Sequence, residues 1–184
     1  FTDPLAIHAI ELVQKNLIPS YQEDKSARDT MHNAQCLAGM AFSNALLGIV
    51  HSMAHKTGAA FADCGAHLIH GAANAMYLPK VIAFNAKNAE AKKRYAVIAD
   101  YMHLGGRNEE LSLLIAELRR MNDALNIPHC IRNYGADSLP TEQGFVPEKI
   151  FLERLPGIAE RAIGDACTGS NPRIPTQEEM EKLL

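Results

Sequence analysis

The chain lacks the marks of several protein classes. Its four cysteines, Cys36, Cys64, Cys130 and Cys167, form no C-x-x-C pair. A chain of 184 residues is no small disulfide scaffold, so reduced thiols and a cytoplasmic location are expected. Net charge is −3 with both signs interspersed, and without a basic stripe no nucleic-acid partner is expected. No apolar run approaches the ~20 residues of a membrane span, so no membrane partner is expected. The opening Phe1-Thr2-Asp3-Pro4 has neither a charged n-region nor an apolar h-region, unlike a signal peptide. It has no initiator Met either, so Phe1 reads as a cut point or the first ordered residue of something longer. Strand-like alternation, internal repeats and low-complexity tracts are missing too. What remains is a 47% apolar chain of single-domain length, 1–184, whose expected fold class is all-α.

Helical signals run nearly throughout. Thr2 or Asp3 can cap a first helix with Pro4 in its first turn, and Pro19 is expected to end it. A polar link, Gln22 to Lys25, follows. From Ser26 to about His55 the chain is rich in Ala and Gly, with Leu37, Met40, Phe42, Leu46 and Leu47 between them. Apolar on all sides, it reads as buried, with a break near Gly48. A turn-like stretch, Gly58 to Ala66, leads to a helix from about His70 to Asn85, bent or interrupted at Pro79. Glu90 to Leu104 reads as an amphipathic helix stopped by Gly105-Gly106. Asn108 is expected to cap the next, which runs to Leu125 with Leu111, Leu114, Ile115 and Leu118 inward. Asn133 to Pro147 is loop-rich. Pro147 to Gly164 reads as one or two short helices broken at Pro156-Gly157. Thr176 with Glu179 forms a capping box for a final helix.

Four of the eight histidines fall within twenty residues: His51, His55, His67 and His70. His51 and His55, at i and i+4, project from one helix face. A buried imidazole needs a partner, and a divalent metal is one. Hydrogen-bonded core histidines, or plain surface ones, satisfy the same pattern. His70 sits near a helix N-terminus, where the local positive potential favours the neutral, ligating form. Two histidines do not complete a catalytic site, which commonly has three protein ligands and an open position. Asp3 and His8, five apart, share a helix face poorly. Asp63, Cys64, His67 and His70 resemble a short metal clip, though structural zinc sites draw paired ligands from two segments.

The motifs His51-Ser52-Met53-Ala54-His55-Lys56-Thr57-Gly58 and His70-Gly71-Ala72-Ala73-Asn74-Ala75 resemble those of the group III, iron-containing alcohol dehydrogenases. The likeness is greatest to the C-terminal part of bifunctional aldehyde-alcohol dehydrogenases and to butanol dehydrogenases. It extends over Phe1 to Ala6, Ala38 to Ala45, Lys93 to Asp100, Leu125 to Pro128 and Asp165 to Thr176. The resemblance implies the helical, metal-binding C-terminal domain of a dehydroquinate synthase-like fold. An N-terminal α/β domain that binds NAD or NADP would lie outside this chain. It further implies a metal held by one Asp and three His. The Asp and first His belong to a G-x-D-A-x-x-H-type motif upstream of Phe1. The other two ligands carry over onto His51 and His70, and His55 onto a neighbouring histidine that positions substrate or relays a proton. One departure stands out. Ala62-Asp63-Cys64-Gly65-Ala66 looks inserted, and Ile69 replaces a proline, which leaves His67 as a substitute ligand.

On this resemblance the parent protein is expected to be an NAD(P)-dependent alcohol dehydrogenase using Fe2+ on a small alcohol or aldehyde. Histidine and carboxylate donors do not exclude zinc. This chain alone would be inactive. A homo-oligomer is expected, extended into filaments if the parent is bifunctional. The rivals are a non-catalytic helical fragment with a partial metal site, and another activity on the same fold such as glycerol dehydrogenase.

Overall fold

A computed structural model describes residues 1–64, 68–134 and 146–184. The described residues are helical and contain no strand. The α-helices are α1 (Thr2–Tyr21), α2 (Lys25–Ala45), α3 (Ile49–Ala60), α4 (His70–Asn85), α5 (Ala89–Tyr101), α6 (Glu110–Ala124), α7 (Glu148–Ile163) and α8 (Gln177–Leu183). Short 3-10 turns occupy Ala62–Cys64, Ile131–Asn133 and Ala166–Ser170. No single helix among the described residues is long and apolar enough to cross a membrane. The chain divides into two compact units, Phe1–Leu46 with Ala89–Glu117 and Leu47–Asn88 with Leu118–Leu184.

In the first unit α1 and α2 pack along each other as a helical hairpin. Ala27, Ala34 and Ala41 form the buried stripe of α2, where small side chains let helices approach closely. Asp24 caps α2 by accepting from the Ala27 N–H at 2.9 Å. The expectation that this apolar segment is buried on all sides fails here. Met40, Phe42 and Leu46 are exposed, because the elements packed on α2 within this unit cover one of its faces. Other differences have local causes. Phe1, not Thr2 or Asp3, occupies the N-cap of α1, and Asp3 instead meets Arg94 at 2.7 Å. Pro19 lies inside α1, which stops after Tyr21 where Glu23 turns left-handed (φ 70°). Left-handed His103 (φ 54°) ends α5 at Tyr101, ahead of the two glycines. The Leu104 N–H reaches back to the Ala99 carbonyl at 3.1 Å, as in a Schellman closure. Asn108 is left-handed (φ 64°) and lies outside α6, so it is not the adjacent cap.

The second unit is built around α3, which packs against α4, α7 and the 3-10 turn Ala166–Ser170. Its core includes Ile49, Met53, Phe61, Tyr77, Ile158 and Met180, each at most 1% exposed. Burial of each large apolar side chain contributes about 1.5–3 kcal/mol. The break expected near Gly48 is present, between Ala45 and Ile49. The turn expected from Gly58 starts later, since α3 runs on to Ala60.

Prolines interrupt neither α4 nor α7. Pro79 deprives the Ala75 carbonyl of its helical donor, and the Asn122 side chain supplies one at 2.8 Å. Pro156 frees the Leu152 carbonyl at an exposed position, while Ile158, Ala159 and Ala162 anchor the same helix in the core. The capping box of α8 forms as expected, with Glu179 N–H donating to Thr176 Oγ1 at 3.2 Å. His67 and residues 135–145 lie outside the described residues. So do Gly65 and Ala66 of the insertion noted in the sequence.

Candidate metal centre

Two helix starts bring the histidines together. His51 is the third residue of α3 and His70 is the first of α4. Each start is anchored from elsewhere in the same unit. At α3, the Ile49 N–H donates to Asn171 Oδ1 at 3.3 Å. At α4, the Ile69 N–H donates at 2.9 Å to the hydroxyl of Tyr134, a fully buried side chain. Both contacts satisfy groups that a helix N-terminus leaves without a partner.

His51 Nε2 and His70 Nε2 stand 3.1 Å apart. The ring centroids are 4.6 Å apart for His51 and His55, 4.4 Å for His51 and His70, and 5.1 Å for His55 and His70. One nitrogen from each ring lies within 4.8 Å of the others. Two nitrogens each ~2.0–2.1 Å from one cation stand roughly 2.8–3.4 Å apart at octahedral to tetrahedral angles. The donor set therefore fits a divalent metal, with His51 and His70 at the spacing of two ligands on one ion. Burial and the neighbouring His70 and His55 push His51 below the ordinary histidine range, which keeps its lone pair available.

Around the rings lie residues that the sequence did not single out. Asn74, one turn after His70, donates to the His70 carbonyl at 2.8 Å and lies 3.1 Å from its Nε2. Its i+4 spacing from His70 was the available signal. Asp165 follows α7, and its side chain is 9% exposed. Its Oδ2 accepts from Lys56 Nζ at 2.8 Å and lies 3.5 Å from His55 Nδ1. Its Oδ1 accepts from the Cys167 N–H at 2.9 Å. The Lys56 hydrogen bond, aided by that of Cys167, holds the carboxyl far below the usual range. Because the folded value is depressed, the resulting stability is complete above the unfolded value near 3.8 and disappears as pH falls below it. The melting-temperature gap between the wild type and Asp165→Asn should thus be constant from pH 5 to 7 and shrink below about pH 4. A gap unchanged at pH 3 would contradict this.

The other sequence candidates are engaged elsewhere. Asp3 pairs with Arg94, and His8 Nδ1 lies 3.5 Å from Glu11. Asp63 takes both guanidinium nitrogens of Arg154, at 2.6 and 2.8 Å, which draws it away from a local clip.

Helical architecture and a cluster of histidines at two helix starts define a class of metal-carrying all-α domains. The model of the C-terminal part of the Fe-containing alcohol dehydrogenase family matches residues 1–184, and the chain belongs to that family. It is 52% identical to an NADPH-dependent butanol dehydrogenase of Clostridium saccharobutylicum, covering 100% of this chain and 44% of that protein. It is 35% identical to the bifunctional aldehyde-alcohol dehydrogenase of Escherichia coli K12, covering 100% of this chain and 21% of that protein. Among solved structures, an iron-containing alcohol dehydrogenase of Thermococcus thioreducens superposes with a TM-score of 0.83 at 32% identity. That match covers 100% of this chain and 43% of the other. The chain thus spans less than half the length of these relatives.

Proposed function

We propose that the polypeptide carrying this chain is an NAD(P)-dependent alcohol dehydrogenase that interconverts a primary alcohol and its aldehyde. In this reading His51 and His70 are two of the ligands of a ferrous ion. The observation that carries it is the 3.1 Å approach of His51 Nε2 to His70 Nε2, with His55 on the same face of α3. The bound cation supplies Lewis acidity toward the substrate oxygen, and the nicotinamide takes or gives the hydride.

The chain's own residues supply position and a proton path. His51 and His70 present neutral imidazole lone pairs from two helix starts. His55, with Nδ1 toward Asp165, keeps Nε2 as a proton acceptor. In the oxidative direction His55 Nε2 would accept the hydroxyl proton of the alcohol as the aldehyde forms. His55 then returns its proton to water. The name of the Clostridium saccharobutylicum relative supports NADPH and a butanol-sized substrate. Exposed Met40, Phe42 and Leu46 support self-association, and the reading places the parent in the cytoplasm. Sedimentation as a monomer at high concentration would count against the oligomer.

The test is anaerobic purification of the parent polypeptide, with metal content and NADPH-linked butanal reduction measured together. Iron near one per chain, activity lost on chelation and activity regained with Fe2+ are expected. Equal turnover by metal-free protein would sink the reading.

A further inference from the structure

The segment 165–171 runs against α3 and the residues just before it, and touches them at successive points. Asp165 meets Lys56, Thr168 Oγ1 meets Ser52 Oγ at 2.8 Å, Ser170 Oγ donates to the Leu47 carbonyl, and Asn171 Oδ1 accepts from the Ile49 N–H. Ser52, Thr168 and Asn171 are buried, so these are ordered contacts between two fixed backbones. At the end of this series the Asp165 carboxylate lies beside the His55 ring.

We propose that Asp165 is a positioning residue for His55. Its carboxylate fixes the ring with Nδ1 protonated and inward, which leaves Nε2 as the proton-exchanging atom. The inference rests on the reading of His55 given above. Three observations carry it. The carboxylate is nearly enclosed, so its charge is little screened by water. Its Oδ1 is pinned by the backbone of Cys167 and its Oδ2 by Lys56, so it does not swing away. Its Oδ2 stands 3.5 Å from Nδ1, so the carboxylate faces that nitrogen and favours an N–H there, which leaves the Nε2 lone pair turned away from it. Lys56 and His55 are adjacent on α3, so one carboxylate serves both. Lys56 holds it in place while His55 makes use of it.

A purely structural role would anchor Lys56 and nothing more, and a double-mutant cycle separates the two. In the metal-loaded parent protein, Asp165→Asn should lower kcat about tenfold, an effect typical of partners that orient a working imidazole. KM for the alcohol should stay within about twofold, and metal per chain should be unchanged. Asp165→Glu should recover part of the rate, because the charge is retained. In a His55→Ala background neither substitution should lower kcat further. The same fall in both backgrounds, a wild-type kcat in Asp165→Asn, or a loss of metal would each overturn the inference. Should Asp165→Asn fail to fold, Asp165→Glu carries the same cycle, with a smaller fall in the wild-type background and none in His55→Ala. If His55→Ala keeps the full rate, the reading of His55 falls and this inference with it. If His55→Ala is slow and Asp165→Asn is not, this inference alone falls.

Discussion

Replacing His51 or His70 by alanine is expected to leave the parent protein without stably bound metal, and so without alcohol-dependent turnover. Each imidazole is one arm of a pair whose nitrogens already stand 3.1 Å apart. A single remaining ring from this chain cannot reproduce that spacing. Losing a residue that merely orients a ligand commonly costs 10–100-fold in metal affinity, and losing the ligand itself should cost more than about 100-fold. His70 carries a further condition. Its Nε2 lone pair serves one partner at a time, and Asn74 Nδ2 and His51 Nε2 both lie 3.1 Å from it. Metal binding must therefore displace the Asn74 contact, while the 3.1 Å spacing to His51 Nε2 is kept with both lone pairs turned to the ion. Asn74 loses little, since it keeps its 2.8 Å bond to the His70 carbonyl. After anaerobic reconstitution and dialysis, metal analysis should find less than about a tenth of an ion per chain in either variant, given that loss of affinity. Normal content in His70→Ala would remove it from the ligand set.

Much of this site was legible before any coordinates. The i, i+4 spacing of His51 and His55 fixes a shared face in any helix, and α3 forms there. A helix from about His70 to Asn85 was expected with a bend or interruption at Pro79, and α4 spans those residues without a break. What escaped the sequence depends on contacts far along the chain. Asp165 reaches His55 from 110 residues away, and no local pattern announces that approach. The continuity of α4 through Pro79 needs Asn122, which lies outside that helix. Exposure on α2 escaped for a different reason. Composition tells how apolar a helix is, while burial depends on how many neighbours cover it, and the hairpin with α1 leaves Met40, Phe42 and Leu46 open. The helix ends at Glu23 and His103 were missed because left-handed conformation there falls on residues that do not advertise it as glycine does.

The largest stability effect is expected where the segment after α7 meets the start of α3. Asn171 is buried and uses its whole amide. Its Nδ2 donates to Asn85 Oδ1 and to the Arg173 carbonyl, each at 2.7 Å. Its Oδ1 accepts from Asn85 Nδ2 and from the Ile49 N–H, each at 3.3 Å. Asn171→Ala leaves the Asn85 amide and the first N–H of α3 without these partners. Four hydrogen bonds are lost, and at about 0.5–1.5 kcal/mol for each the expected loss is roughly 2–4 kcal/mol. Gly48 faces the same amide. A Cβ added there would stand 2.7 Å from Asn171 Oδ1, closer than side chains tolerate, and Oδ1 is held by the bonds just described. The Gly48 backbone is extended (φ −136°, ψ −170°), so the demand for glycine is spatial, not conformational. Gly48→Ala should cost about 1–3 kcal/mol, as overpacking usually does. The two losses should not add. With Asn171 already alanine the added Cβ meets no amide oxygen, so the double variant should be about as stable as Asn171→Ala alone. Denaturant unfolding of the wild type, both single variants and the double variant measures this coupling, and strict additivity would show that Gly48 and Asn171 act apart. Because the same contact fixes the first turn of α3, where His51 sits, metal affinity should fall in step with stability across the four proteins.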